Sequence, residues 1–147
     1  MRILGLDVGD VRIGVALSDE TATLATGLDT VVRRGPRQDV KAIVALVRGR
    51  GAGEVVVGLP RRLDGTLGPQ AEKVTAFQEA LARALTVPVV AWDERFTTVI
   101  AEQTLAAAGV SRRDRKASVD KVSAVLILQS YLDSRKAVDA AAEGSTT

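Results

Sequence analysis

Residues 2–17 read Arg2-Ile3-Leu4-Gly5-Leu6-Asp7-Val8-Gly9-Asp10-Val11-Arg12-Ile13-Gly14-Val15-Ala16-Leu17, two short apolar runs on either side of the turn pair Gly9-Asp10. The pattern predicts a β-hairpin with strands over 2–8 and 12–17. A third strand is expected within 24–32, before the polar stretch Arg33-Arg34-Gly35-Pro36-Arg37. Three strands therefore precede any helix. Helical spacing first occurs at Val40, Ile43, Val44 and Val47, which predicts a helix over 38–48 ended by Gly49, Gly51 and Gly53. The unbroken run Val55-Val56-Val57 has the character of a strand buried on both faces, as in a parallel sheet.

Further along, Leu59 to Pro69 contains two prolines, Asp64-Gly65 and Gly68, and reads as a loop leaving the carboxyl end of that strand. Val74, Phe77, Leu81 and Leu85 predict a helix over 70–85, and Pro88 opens a strand over 89–92. A helix over 98–108 stops at Gly109, and a last helix over 118–135 is apolar on most sides, so it should pack deeply. The order βββ-α-β-α-β-α-α implies an α/β protein with a five-stranded mixed sheet flanked by helices, the element order of the ribonuclease-H-like fold. The 147 residues fit one domain, expected over 1–136, with 137–147 as a flexible tail.

Composition narrows the chemistry. Hydrophobic residues make up 46% and aromatic residues 3%, so the core must be built from Val, Leu, Ile and Ala. Cysteine and histidine are absent, which excludes thiol catalysis, disulfides, Ser-His-Asp triads, zinc fingers and haem ligation. Carboxylates, Lys and Arg, hydroxyls, backbone groups or a hard metal must do the work. No segment reaches the roughly 18 apolar residues of a membrane span, and the chain enters its first strand without a charged-then-apolar leader; a cytoplasmic protein with no membrane partner is expected.

Three carboxylates fall at telling places. Alternation puts Ile3, Gly5 and Asp7 on one face of the first strand and Leu4, Leu6 and Val8 on the other. An ionised group in an apolar strand is costly unless it is paired, hydrogen-bonded or bound to a cation; the plain alternative is an Asp that caps a turn. The strand over 89–92 runs into Asp93-Glu94-Arg95, where Glu94 shares a face with Val90 and Trp92 and Asp93 points away. In open α/β sheets the ligand crevice lies beyond the carboxyl ends of the strands. Asp120 heads a stripe formed by Ala124, Ile127, Leu128 and Tyr131, and as an acid near a helix start it would also complement the helix dipole. Two strand ends and one helix start can thus gather Asp7, Glu94 and Asp120 as a catalytic and metal-ligating set. Such a set would hold two Mg²⁺ or Mn²⁺ ions about 4 Å apart for in-line phosphoryl transfer.

Of the 20 basic residues 15 are Arg, the side chain suited to forked phosphate contacts. They cluster at Arg33, Arg34 and Arg37, at Arg61 and Arg62, and at Arg112, Arg113 and Arg115 with Lys116. Solvated loop charge is the plain alternative. With Arg12 and Arg95, the residues expected to contact nucleic acid are Arg12, Arg61, Arg62, Arg95, Arg112, Arg113, Arg115 and Lys116. Scarce aromatics argue against base stacking, so shape and backbone contacts should dominate, which suits structured RNA and branched DNA equally.

The motifs Leu4-Gly5-Leu6-Asp7-Val8-Gly9, Arg12-Ile13-Gly14-Val15-Ala16, Ser18-Asp19, Val57-Gly58-Leu59-Pro60, Asp64-Gly65, Asp93-Glu94-Arg95-Phe96-Thr97-Thr98 and Val119-Asp120-Lys121 span nearly the whole chain. In this order the sequence resembles the YqgF/RuvX family of ribonuclease-H-like nucleases, relatives of the Holliday-junction resolvases. The resemblance implies an acidic triad at Asp7, Glu94 and Asp120. Ser123 stands where the family often has Ala, and Phe96 where Leu is common. The implied activity is metal-dependent phosphodiester hydrolysis in 5′-end processing of precursor 16S rRNA. One alternative is a Holliday-junction or branched-DNA resolvase, which would need a homodimer to cut two strands. Another is a non-catalytic nucleic-acid-binding or ribosome-assembly module. Asp-x-Gly after a first strand is also similar to the phosphate loop of sugar kinases and actin-like ATPases, but those need a second lobe, and no Walker A segment is present.

Overall fold

The computed structural model describes residues 1–60, 68–93 and 122–135. Its elements are β1 (Arg2–Val8), β2 (Arg12–Ser18), β3 (Ala25–Val32), α1 (Pro36–Arg50), β4 (Ala52–Leu59), α2 (Pro69–Ala84) and β5 (Val89–Asp93). Residues 122–135 are helical. The strands form one five-stranded sheet in the order β3-β2-β1-β4-β5. β1 and β2, like β2 and β3, pair antiparallel, whereas β4 runs parallel to both β1 and β5. This is the mixed sheet expected from the element order. The expected helix over 98–108 and the tail 137–147 lie outside the described residues.

Local chemistry explains the boundaries. The hairpin closes where the Gly9 N–H donates to the Arg12 carbonyl at 2.8 Å. A Cβ on Gly9 would stand 2.8 Å from that same oxygen, so no side chain fits there. Helix α1 begins two residues before the predicted start because Pro36, with φ already near the helical value, occupies its first turn. It also runs past Gly49. Gly51 stops it, adopting φ 65° and donating its N–H to the Arg48 and Val47 carbonyls.

The two faces of the sheet carry separate cores. Leu4, Leu6, Val8, Ile13, Val15, Leu17, Val55 and Val57 pack with Ile43 and Val47 of α1 and Val74, Phe77 and Leu81 of α2. On the opposite face, Ile3, Ala16, Ala25 and Val56 pack with Ala124, Ile127, Leu128 and Leu132. Alternation along β1 therefore works as read. Gly5 lies under the 122–135 helix, and a Cβ there would come within 2.7 Å of Leu128 Cβ and 3.3 Å of the Ala124 carbonyl. The missing side chain lets the helix rest on the strand backbone.

Polar ties fix this helix along its length. Gln129 accepts the Ala25 N–H at 2.9 Å and donates to the Thr23 carbonyl at 3.0 Å. Glu54 accepts from the Tyr131 hydroxyl at 2.8 Å and from Arg135 at 2.9 Å. Burial, then the Glu54 carboxylate, pushes the Tyr131 phenol above its usual range. Trp92 is half-buried: its ring meets Tyr131 edge-on at 5.3 Å, and its Nε1 donates to Ser130 Oγ at 3.2 Å.

Candidate active site

Asp7 sits one residue from the carboxyl end of β1, half-buried, on the face covered by the 122–135 helix. Its neighbours follow from the strand registers. Asp7 pairs with Gly14, Gly14 with Thr30, and Gly58 with Trp92. Since Leu6 pairs with Val57, Gly58 is the next residue of β4 alongside Asp7. One row across the sheet thus reads Thr30, Gly14, Asp7, Gly58, Trp92, with all five on one face. Arg12 precedes Gly14 by two residues, so the pleat puts it on this face also, where it is half-buried.

Asp93 is exposed and pairs with Leu59, which packs against the α1 and α2 core, so Asp93 lies on the face away from Asp7, as alternation predicts. Glu94, Asp120, Arg61, Arg62, Arg95, Arg112, Arg113, Arg115 and Lys116 lie outside the described residues. Trp92, two residues before Glu94, shares the face of Asp7, and so does the helical stretch that begins two residues after Asp120. Among the described residues no three His, Cys, Asp or Glu side chains gather where they could hold a metal ion.

The described basic residues divide by their partners. Arg33, one of the basic cluster at 33–37, is engaged internally. Its Nε donates to Asp39 at 3.1 Å, its Nη1 to the Gly9 carbonyl at 2.9 Å, and its guanidinium lies over the Phe77 ring at 5.4 Å. Burial works against the Asp39 charge, but the Arg34 N–H, the Arg33 hydrogen bond and the Arg33 charge prevail and hold its carboxyl below the usual range. Arg33 is thus a clamp on the turn two residues beyond Asp7, while Arg34 and Arg37 remain exposed. Sequence reading missed Lys73. Its Nζ lies 3.6 Å from Asp10 in the β1–β2 turn, both side chains being exposed, so α2 adds a cation near the end of β1. An isolated lysine in a helix carries no mark of this, because only the fold brings it there.

The Ser18-Asp19 motif has a structural explanation at the other end of the sheet. Ser18 Oγ accepts the Ile3 N–H at 2.8 Å. Asp19 accepts from the Thr21 hydroxyl and from the Thr23 and Leu24 N–H groups, which hold its carboxyl at about 2.

The profile of the family described as "RuvX: Holliday junction resolvase" matches residues 1–134. The chain belongs to the RuvX family. Among relatives called "Putative pre-16S rRNA nuclease", that of Thermoanaerobacter pseudethanolicus is 50% identical over 137 residues, 92% of this chain and 99% of the relative. Another, from Pelotomaculum thermopropionicum, is 53% identical over 136 residues, covering 92% of this chain and 88% of its own. Two solved structures share the fold of this RuvX chain at low identity. Thermus thermophilus RuvC in complex with Holliday junction substrate gives a TM-score of 0.55 at 17% identity, over 92% of this chain and 96% of that one. Fowlpox virus resolvase with Holliday junction DNA gives 0.56 at 12%, over 91% and 98%. The RuvX chain therefore has the ribonuclease-H-like fold of the RuvC-like resolvases.

A hard divalent cation fits what is described of this site. Asp7 offers oxygen donors at a strand end, and at its level neither adjacent strand carries a side chain. The chain has no His or Cys that would favour a softer ion.

Proposed function

We propose that this protein is a divalent-metal-dependent nuclease that hydrolyses phosphodiester bonds in precursor 16S rRNA, with Asp7, Glu94 and Asp120 as its catalytic and metal-ligating carboxylates. The observation that carries the reading is the position of Asp7 at the carboxyl end of a central strand, between two glycines and on the helix-covered face. The relatives' name supports RNA as the substrate. When bound, Mg²⁺ or Mn²⁺ would activate the attacking water and stabilise the departing oxygen. The chain's own part is to hold those cations through oxygen and to draw the phosphate backbone in. Arg12 supports the second task from the face of Asp7, and Arg61, Arg62, Arg95, Arg112, Arg113, Arg115 and Lys116 are assigned to it from the sequence.

A second reading, branched-DNA resolution by a homodimer, is favoured by the family description and by the fold shared with resolvases bound to junction DNA. No helix among the described residues is long and apolar enough to cross a membrane. The rRNA reading carries a cytoplasmic location with it.

The test is to incubate the protein with Mn²⁺ and either a precursor-rRNA segment or a four-way DNA junction, and map the cuts. Cleavage should require the metal, and Asp7→Asn should slow it at least about 100-fold, which is roughly 2.7 kcal/mol of barrier. Undiminished cleavage in excess chelator, or by Asp7→Asn protein, would end the proposal. Cuts confined to the DNA junction would favour the second reading.

A further inference from the structure

Helices α1 and α2 both pack on the sheet face opposite Asp7, yet their exposed charges differ. In α2 the acids Glu72 and Glu79 face solvent together with the bases Lys73 and Arg83. Glu72 lies in the first turn, and Arg83 lies in the last turn, four residues after Glu79, as helix electrostatics favours; Lys73 pairs with Asp10. Helix α1 departs from this balance. Its one acid, Asp39, is 2% exposed and engaged by Arg33 and the Arg34 N–H, so the charges it shows to solvent are Arg37, Lys41, Arg48 and Arg50. Arg48 and Arg50, in the last turn, complement the helix dipole. Arg37 and Lys41 do the opposite: Arg37 stands in the first turn, where the dipole disfavours a cation, and it repels Lys41 one turn on. None of Arg37, Lys41 and Arg48 forms an ion pair among the described residues. A local arrangement that costs stability without an internal partner points to a role outside the fold.

We propose that Arg37, Lys41 and Arg48 form a second phosphate-contacting surface, on the side of the sheet opposite Asp7, that holds structured nucleic acid flanking the cleaved bond. The proposal deepens the nuclease reading and rests on it for the substrate. Positions i, i+4 and i+11 fall on one stripe of a helix, and here they span roughly 16 Å at 1.5 Å per residue. A duplex strand presents a phosphate every 3.4 Å of axis, so the stripe matches about five nucleotides. Its start is tied to the end of the sheet where Asp7 stands: Arg33, three residues before Pro36, donates to the carbonyl of Gly9, two residues beyond Asp7, at 2.9 Å. The exposed Arg34 lies on the way between them. A straight duplex touches one side of a protein, so contacts on both sides of the sheet select a folded or branched substrate.

The experiment compares wild type, the triple variant Arg37→Gln/Lys41→Gln/Arg48→Gln, the single variant Lys41→Gln and, as a charge control, Arg83→Gln on α2. Two structured substrates, a precursor-rRNA segment with its flanking helices and a four-way DNA junction, are titrated in chelator at several salt concentrations beside a short linear segment covering only the cut. Cleavage is then followed with Mn²⁺. The triple variant should bind a structured substrate at least about tenfold more weakly, with a salt slope lower by about two to three; Lys41→Gln should lower the slope by about one and Arg83→Gln should leave it as in wild type. In cleavage the triple variant should raise KM at least about tenfold with kcat within about twofold of wild type, and the KM difference should fall below about threefold on the short segment. Its melting temperature should stay within about 3 °C of wild type, because removing Arg37 offsets the loss of Arg48. A wild-type salt slope in the triple variant overturns the proposal and leaves the stripe to an acidic protein partner or to solvent. An equal loss on the short segment, or a larger fall in melting temperature, overturns it as well. A wild-type protein that binds a structured substrate but cuts none refutes the nuclease reading, while the salt slopes still decide the stripe; one that binds neither structured substrate refutes both.

Discussion

Replacing Asp39 by Asn should loosen the turn that follows Asp7. The Asp39 side chain is 2% exposed and accepts Arg33 Nε at 3.1 Å and the Arg34 N–H at 2.9 Å. Asparagine keeps one oxygen acceptor but turns the second into an NH₂ group facing a donor, and it removes the charge opposing Arg33. A charge-assisted hydrogen bond contributes about 1.5–3 kcal/mol, and breaking a fully buried pair costs about 3–5. Arg33 keeps 21% of its side chain exposed, so water takes up part of the loss and about 2 kcal/mol is expected. For a chain of this size that is a fall in Tm of roughly 6–8 °C. The pH dependence has a definite sign. The folded carboxyl is held below its unfolded value of about 3.9, so its stabilisation is complete above that pH and fades as pH falls through the folded value. Denaturant unfolding of wild type and Asp39→Asn at pH 7 and near pH 3 should therefore show a gap that shrinks in acid. A double-mutant cycle with Arg33→Met should return coupling of about 1 kcal/mol or more. Equal stabilities at pH 7, or a gap that does not shrink in acid, would refute the clamp.

Gly5→Ala should lower stability by about 1–3 kcal/mol, read as a drop of roughly 3–10 °C in a thermal melt, because its Cβ would meet Leu128 Cβ at 2.7 Å. Ser123 is fully buried, and among the described residues its hydroxyl has no hydrogen-bond partner, so Ser123→Ala should raise stability by about 1 kcal/mol in denaturant unfolding. Neutralising Arg112 and Arg113 should lower the salt slope of nucleic-acid binding by roughly one to two, whereas Arg33→Gln should leave that slope unchanged and lower the melting temperature.

These expectations mark where the sequence was legible. Strand faces were readable because a period of two is intrinsic to the pleat, so Asp7 could be set apart from Leu6 and Val8 without knowing their neighbours. The stripe of Ala124, Ile127 and Leu128 was readable for the same reason at helical period, and those residues are buried against β1 and β4. Helix ends were less so. Pro36 and Gly51 set the bounds of α1 by backbone geometry, while the apolar spacing that announced the helix stops short of both.

Partnership across the chain was not legible at all. Arg33 and Arg34 are adjacent and equally charged, yet one is tied to Asp39 and to Gly9, 24 positions away, while the other's side chain is exposed. The difference lies in the faces that the end of β3 presents to α1 and to the hairpin turn, which no local pattern encodes. Gly14 and Gly58 show the same limit more sharply. Each sits in a motif that marks the family, but neither motif says that the two glycines stand on opposite sides of one carboxylate. That follows only once the antiparallel register of β1 with β2 and the parallel register of β1 with β4 are both fixed. A motif acid can therefore be chosen from the sequence, whereas the residues that flank it are recognisable only once both registers are known.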